Sequence, residues 1–239
     1  MGMACLSARF ANPKECASRT TGGEVWSHSS NSPEATVSAT ANANGDEVNL
    51  DDPMLTLVNP THPLPEDWQT ELVDIGNGKQ IDSRAYDGLT AMLDSCRDAG
   101  YAPMVCSAYR TYEKQLSLYE NKLQRCYDQG LSGADAEREA AFWVAKPNTS
   151  EHQLGLAVDI VSWENQRLDD TQLDSPAQQW LMAHCWEYGF IFRYQADKTE
   201  WTQVGHEPWH YRYVGRAAAK QIGDWDVCLE EYLELLANA

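Results

Sequence analysis

The chain has no apolar run approaching the roughly 20 residues that span a bilayer, so no membrane-crossing helix is expected. Nor does its N-terminus carry the continuous apolar core of a signal peptide, which leaves any export route unmarked. It has 7 cysteines, Cys5, Cys16, Cys96, Cys106, Cys126, Cys185 and Cys228, but no CxxC pair, which argues against a structural zinc knuckle. Positive charge is scarce: 18 Lys and Arg stand against 36 Asp and Glu, a net charge of −18. That balance repels nucleic-acid phosphates and offers no steering toward an anionic polymer, so any ligand must be recognised locally.

What is present fits a packed globular chain. The 239 residues suffice for one domain with a tail, and the 43% hydrophobic and 10% aromatic fractions are ordinary. Nine Trp and eleven Tyr fall mostly beyond residue 100 and are expected chiefly in the core. Residues 1–49, rich in Ser, Thr, Ala and Asn without apolar periodicity, read as a disordered tether; residues 50–239 read as the folded domain, expected to act as a monomer. An odd cysteine count leaves one thiol unpaired within a monomer. In an exported protein one or two disulfides are expected, with Cys185 and Cys228 the candidate pair, and buried reduced thiols are the alternative.

Met54-Leu55-Thr56-Leu57-Val58 reads as a short strand. Tyr86, Leu89, Met92 and Leu93 recur at helical spacing between Ser83 and Cys96, with Gly100 as a stop. Further helices are expected over 112–129, 134–144, 176–188, 216–222 and 229–236, and strands over 104–106, 156–161, 190–194 and 211–214. Helices first and strands later imply an α+β fold with a small, mainly antiparallel sheet and flanking helices.

The chemistry begins at Ser150-Glu151-His152-Gln153-Leu154-Gly155-Leu156-Ala157-Val158-Asp159. A lone carboxylate, Asp159, interrupts an apolar strand, and burying it unpaired is costly, so it calls for a cation, a metal or several donors. The neighbouring His152 offers a second zinc-type ligand, and Gly155 lets the turn between them tighten. The second segment is His206-Glu207-Pro208-Trp209-His210-Tyr211-Arg212-Tyr213-Val214-Gly215. Residues 206–210 formally match H-E-x-x-H, which requires a helix. Pro208 and the aromatic, β-branched residues that follow oppose one, so the segment reads as a turn feeding a strand and the match as a decoy.

Together with Ser107-Ala108-Tyr109-Arg110-Thr111-Tyr112-Glu113-Lys114-Gln115, these segments resemble the VanY-type D-alanyl-D-alanine carboxypeptidases, part of a zinc group that includes L,D-carboxypeptidases and D-Ala-D-Ala dipeptidases. Tyr188-Gly189-Phe190-Ile191 with Arg193-Tyr194 adds to the likeness, which runs from about residue 55 to 235. It implies one zinc ion held at the sheet by His152, Asp159 and His210, with Glu207 as the catalytic base. Three protein ligands leave the fourth tetrahedral position for water, the mark of a catalytic zinc. By the same resemblance Arg110 faces the substrate's terminal carboxylate or the tetrahedral oxyanion, and Ser107, Gln115 and Ser150 surround the substrate's C-terminal end; capping and turn roles are the alternative for these three.

The implied substrate is a peptidoglycan stem peptide or precursor, met in the cell envelope outside the cytoplasm. L,D-carboxypeptidase, dipeptidase or cross-link endopeptidase chemistry on the same site stay open, as does a non-catalytic wall-binding module. The stretch 147–149 and the loop 195–206 are expected to shape that choice. His206 stands where the family usually has an aromatic residue, so it either packs there, tunes Glu207 or touches substrate. His28, His62 and His184 read as surface or core histidines, Trp180, Trp186 and Tyr188 as core, and Glu230-Glu231 as a solvated face.

Overall fold

A computed structural model describes residues 48–238; most of the expected tether, with Cys5, Cys16 and His28, lies outside the described residues. The first element among the described residues is a short 3-10 turn at Pro53–Leu55, where a strand was expected. Pro53 presets the first helical position and the Asp52 carboxylate accepts a bond from the Met54 amide, so local capping overrides the apolar run. A hairpin that apolar patterning did not signal follows, β1 (Leu72–Gly76) and β2 (Lys79–Asp82). Its turn residues Asn77 and Gly78 both have positive φ, 54° and 68°, the backbone an Asn-Gly hairpin turn needs.

Helix α1 (Ser83–Asp98) is capped by Asp82 and buries Ala85, Leu89, Met92 and Cys96 along one stripe. Next come β3 (Pro103–Ser107), α2 (Tyr112–Asp128), which is capped by the Thr111 hydroxyl, and α3 (Gly133–Trp143), which packs on α2 through Tyr119, Cys126, Ala136 and Ala140. Strand β4 (Ala157–Ser162) is buried throughout. The long helix expected over 176–188 is instead α4 (Pro176–His184) followed by a 3-10 turn that ends at Gly189. After β5 (Phe190–Phe192), α5 (Thr199–Thr202) and β6 (His210–Tyr213), the chain closes with α6 (Arg216–Trp225) and α7 (Leu229–Ala237). This is the expected α+β fold, with helices flanking small antiparallel sheets.

The main sheet runs β3-β4-β6-β5, every pair antiparallel. Alternation along each strand sends Val158, Ile160, Tyr211 and Phe190 into the main core, with Leu89, Met92 and Leu181 from α1 and α4. Asp159, His210 and Arg212 consequently point the other way. A second core gathers Ile191, Ala218, Ile222, Leu229 and Tyr232 under α6 and α7.

All five described cysteines, Cys96, Cys106, Cys126, Cys185 and Cys228, are free, so the expected Cys185–Cys228 bridge is not made. Cys185 packs in the main core, whereas Cys228 serves as the N-cap of α7. Glu230 departs from the expected solvated face: it is buried on α7 and paired with Arg193. Among the described residues no helix is long and apolar enough to cross a membrane.

Gly155 joins the His152 turn to β4 with φ +77°, and a Cβ there would sit 2.8 Å from Thr70 Cγ2. Substituting Gly155→Ala is expected to cost about 1–3 kcal/mol of stability in urea unfolding, because both backbone strain and overpacking oppose it. An unchanged unfolding midpoint would contradict that account.

Candidate active site

The sheet register builds the site. Ser107 on β3, Asp159 on β4 and His210 on β6 form one row across three strands, and directly opposed residues share a face. His152 comes from outside the sheet, on the 3-10 turn Glu151–Leu154. Its backbone carbonyl accepts from the Arg110 amide at 3.1 Å, and its ring Nδ1 lies 2.7 Å from the Ala108 carbonyl. The chain leaving β3 therefore fixes both the turn and the imidazole.

These elements converge on His152, Asp159 and His210, all buried, with one potential ligand atom from each within 4.8 Å of the others. His152 Nε2 is 3.2 Å from Asp159 Oδ2, and His210 Nδ1 is 3.1 Å from Asp159 Oδ1. Donors around a tetrahedral zinc with bonds of about 2.0–2.2 Å sit about 3.4 Å apart, close to the two His–Asp separations, so the three side chains are of the kind and spacing that can hold such an ion. Burial alone would raise the Asp159 carboxyl, but His152 and Arg110 hold it well below the ordinary value. Burial, with Arg110 acting in the same direction, drops His152 to about 4, which keeps its imidazole neutral and ready to ligate. His210 behaves oppositely: burial would lower it, but Asp159 and Glu151 lift it to about 9. A bound dication would take the place of that proton.

Glu207 lies on the turn before β6, with Oε2 3.6 Å from His210 Nδ1. Burial raises its carboxyl to about 7, the Asp159 charge adding to the rise while His210 and Arg110 oppose it. Arg110 donates from Nη2 to Asp159 Oδ2 at 2.6 Å, from Nε to Ser107 Oγ at 2.9 Å and from Nη1 to Gln115 Oε1 at 3.3 Å. A cavity of about 440 Å³ opens over this cluster, with Arg110, Gln115, Ser150 and Glu207 in its lining.

Ser107 differs from its expected place. It is not among the lining residues, and its hydroxyl is turned to the Arg110 guanidinium, from which it accepts at 2.9 Å. Gln115 does not face solvent; it is fully buried and donates from Nε2 to the Ala145 carbonyl. His206 lies at the cavity wall but outside the ligand cluster, its Nδ1 2.9 Å from Asp170 Oδ1. The chain from Glu207 to His210 is a turn and then a strand, so the two histidines of the H-E-x-x-H match never share a helix face.

Sequence reading gave no role to Glu151, and none to Arg193 or Arg212 beyond their places in the family motifs. Glu151 is buried beside His210 and takes bonds from both arginines, and the Tyr194 ring sits 4.7 Å from that of His210. The available signal was the presence of two arginines within apolar, strand-forming segments, since buried guanidiniums require buried carboxylates.

A family model described as VanY, D-alanyl-D-alanine carboxypeptidase, matches residues 78–216. A D-alanyl-D-alanine carboxypeptidase of Enterococcus faecalis is 44% identical over 201 residues, covering 84% of this chain and 72% of that protein. Among solved structures, a mutant of the vancomycin resistance D,D-pentapeptidase VanY from a VanB-type cassette, in complex with Zn(II), matches with TM-score 0.70 and 43% identity, covering 76% of this chain and 99% of that one. VanYB in complex with D-alanine-D-alanine matches with TM-score 0.71 and 44% identity, covering 76% and 97% of the two chains.

The geometry separates the two histidine sets. His206→Ala is expected to leave the zinc content measured by plasma mass spectrometry unchanged, whereas His210→Ala removes the ion. Loss of metal from the His206 variant would restore the helical-protease reading.

Proposed function

The chain belongs to the VanY family of D-alanyl-D-alanine carboxypeptidases and is a zinc carboxypeptidase, and we propose that it hydrolyses the C-terminal D-alanine from peptidoglycan stem peptides at the cell wall. The observation that carries this reading is the buried His152–Asp159–His210 donor set with the Glu207 carboxyl beside it, at the base of a cleft.

In this reading His152, Asp159 and His210 hold the ion. Zinc, when bound, polarises the scissile carbonyl and acidifies the attacking water. Glu207 takes the proton of that water and returns it to the leaving amine. Its place beside His210, at the edge of the donor set, suits both halves of this task. Arg110 is the anion-binding group of the site, opposite the substrate's terminal carboxylate or the oxyanion, and its planar fork suits either. Ser107 and Gln115 act through Arg110 by holding its guanidinium in one orientation. Ser150 and Gln115 also line the wall against which the C-terminal residue rests. Lys122 and Arg125 of α2, with Asp170 and His206, also line the cleft, and in this reading they border the rest of the peptide.

Mass spectrometry of products from muropeptides ending in a pentapeptide or a tetrapeptide tests the substrate. Loss of one D-Ala from the pentapeptide is the expected result; loss from the tetrapeptide alone would move the enzyme to the L,D class. Glu207→Ala is expected to retain zinc while turnover falls roughly 10²–10⁴-fold, the range for a general acid–base. An unchanged rate in that variant would sink the assignment of the base.

A further inference from the structure

We propose that Lys122 and Arg125 form an anion subsite in the outer cleft, which recognises a carboxylate carried two or three residues before the terminal D-alanine of the substrate. This assignment rests on the carboxypeptidase reading above and deepens it by giving one cleft wall a charge preference.

Gln115, Leu118, Lys122 and Arg125 recur at helical spacing along α2 and all line the cleft, so one face of that helix forms its wall. The stripe starts beside the site's anion-binding group, because Gln115 Oε1 accepts from Arg110 Nη1 at 3.3 Å. With about 1.5 Å of rise per residue, Lys122 lies about 10 Å and Arg125 about 15 Å farther along the helix axis. An extended peptide advances about 3.3–3.6 Å per residue, so a group two or three residues upstream of the terminal one lies about 7–11 Å away. When the C-terminal residue rests at Gln115 and the chain follows α2, Lys122 stands at that distance and Arg125 adds a second charge one turn beyond.

Both cations are available to a ligand. Acidic residues outnumber basic ones by 36 to 18 in this chain. Yet among the described residues neither Lys122 nor Arg125 forms an ion pair. The carboxylates that share the outer lining are already engaged: Asp169 accepts from Arg167 Nε at 2.7 Å, and Asp170 Oδ1 lies 2.9 Å from His206 Nδ1. Lys122 is held instead by an aromatic ring, its Nζ 5.7 Å from the centroid of Trp143. Such a contact places an ammonium without neutralising it. Trp143 is fixed in turn. Its Nε1 donates to Glu139 Oε1 at 2.9 Å, and its ring packs on Gly205, where a Cβ would come within 2.7 Å of Cζ3. The anion that a peptide can bring to this wall is a carboxylate. It comes either from the main chain, where a glutamate is joined through its side chain, or from the end of a diamino-acid side chain.

The test measures kcat and KM of the zinc-loaded protein on three pentapeptides. The first is L-Ala-γ-D-Glu-L-Lys-D-Ala-D-Ala, the second has the glutamate α-carboxylate converted to the amide, and the third is that amide with meso-diaminopimelate in place of lysine. The wild-type protein is expected to favour the first or the third over the second by roughly 3–10-fold in kcat/KM, the scale of one or two partly exposed charge pairs. The difference lies in KM, as uniform binding requires, and shrinks as salt is added. Whichever peptide is favoured identifies the main-chain or the side-chain carboxylate as the ligand. In the double variant Lys122→Gln/Arg125→Gln that ratio falls to about 1; Lys122 is half-buried and Arg125 exposed, so the core is untouched. Equal kcat/KM for all three peptides in the wild type, or a preference that the double variant keeps, would overturn the subsite and leave the carboxypeptidase reading standing. No release of D-alanine from any of the three would sink that reading and the subsite with it.

Discussion

A carboxylate placed in the middle of a fully buried strand is the constraint on which the rest of this structure depends. Asp159 has apolar neighbours on both sides in β4, Val158 and Ile160, which belong to the main core. Left alone, its charge would cost several kcal/mol and would favour protonation or unfolding. The fold meets that cost by bringing three nitrogen-bearing side chains to it: His152 from a turn, His210 from the neighbouring strand and Arg110 from the chain leaving β3. A site able to hold a dication follows from the same requirement, because a cluster that stabilises a buried anion with two imidazoles is also a ligand set.

The strands do more than carry ligands. Because the β4–β6 register opposes Asp159 to His210, shifting it by a single residue would send one of them into the apolar core. Hydrophobic alternation on the other face, Val158, Ile160 and Tyr211 against α1 and α4, holds that register. Ordinary core packing thus determines the precision of the polar face, and burial in the same region raises the Glu207 carboxyl above its ordinary value.

Charge is distributed in layers. The chain is strongly acidic overall, yet its buried interior around the site is balanced: Glu151 and Glu230 against Arg193 and Arg212, and Asp159 against Arg110. Ion pairs of this kind add little net stability when compared with apolar packing, but they do set the orientation of their members. Here they tie the segment near Met54, the chain leaving β5, strand β6 and helix α7 to the His210 imidazole.

The elements with strong patterning were legible in the sequence: α1 through its apolar stripe, β4 through an apolar run broken only by Asp159, and the end of α1 at Gly100. Less legible were the elements governed by local turn chemistry, namely the 3-10 turn at Pro53 and the hairpin closed by Asn77-Gly78, where one cap or two residues decide the backbone. The residues proposed as ligands, and Glu207, stood out because their spacing and context are unusual: a lone Asp in a strand, and a Pro inside a supposed helical motif. By itself, then, the amino-acid order determined which side chains can do chemistry and which face of each strand is apolar, since both are properties of single residues and short periods. Tertiary structure alone decided that Glu230 is buried, that the cysteines stay apart and that Glu151 meets His210, because Glu230 accepts from Asn59, 171 positions away, and Glu151 meets His210 across 59, contacts that exist only once the sheet has closed.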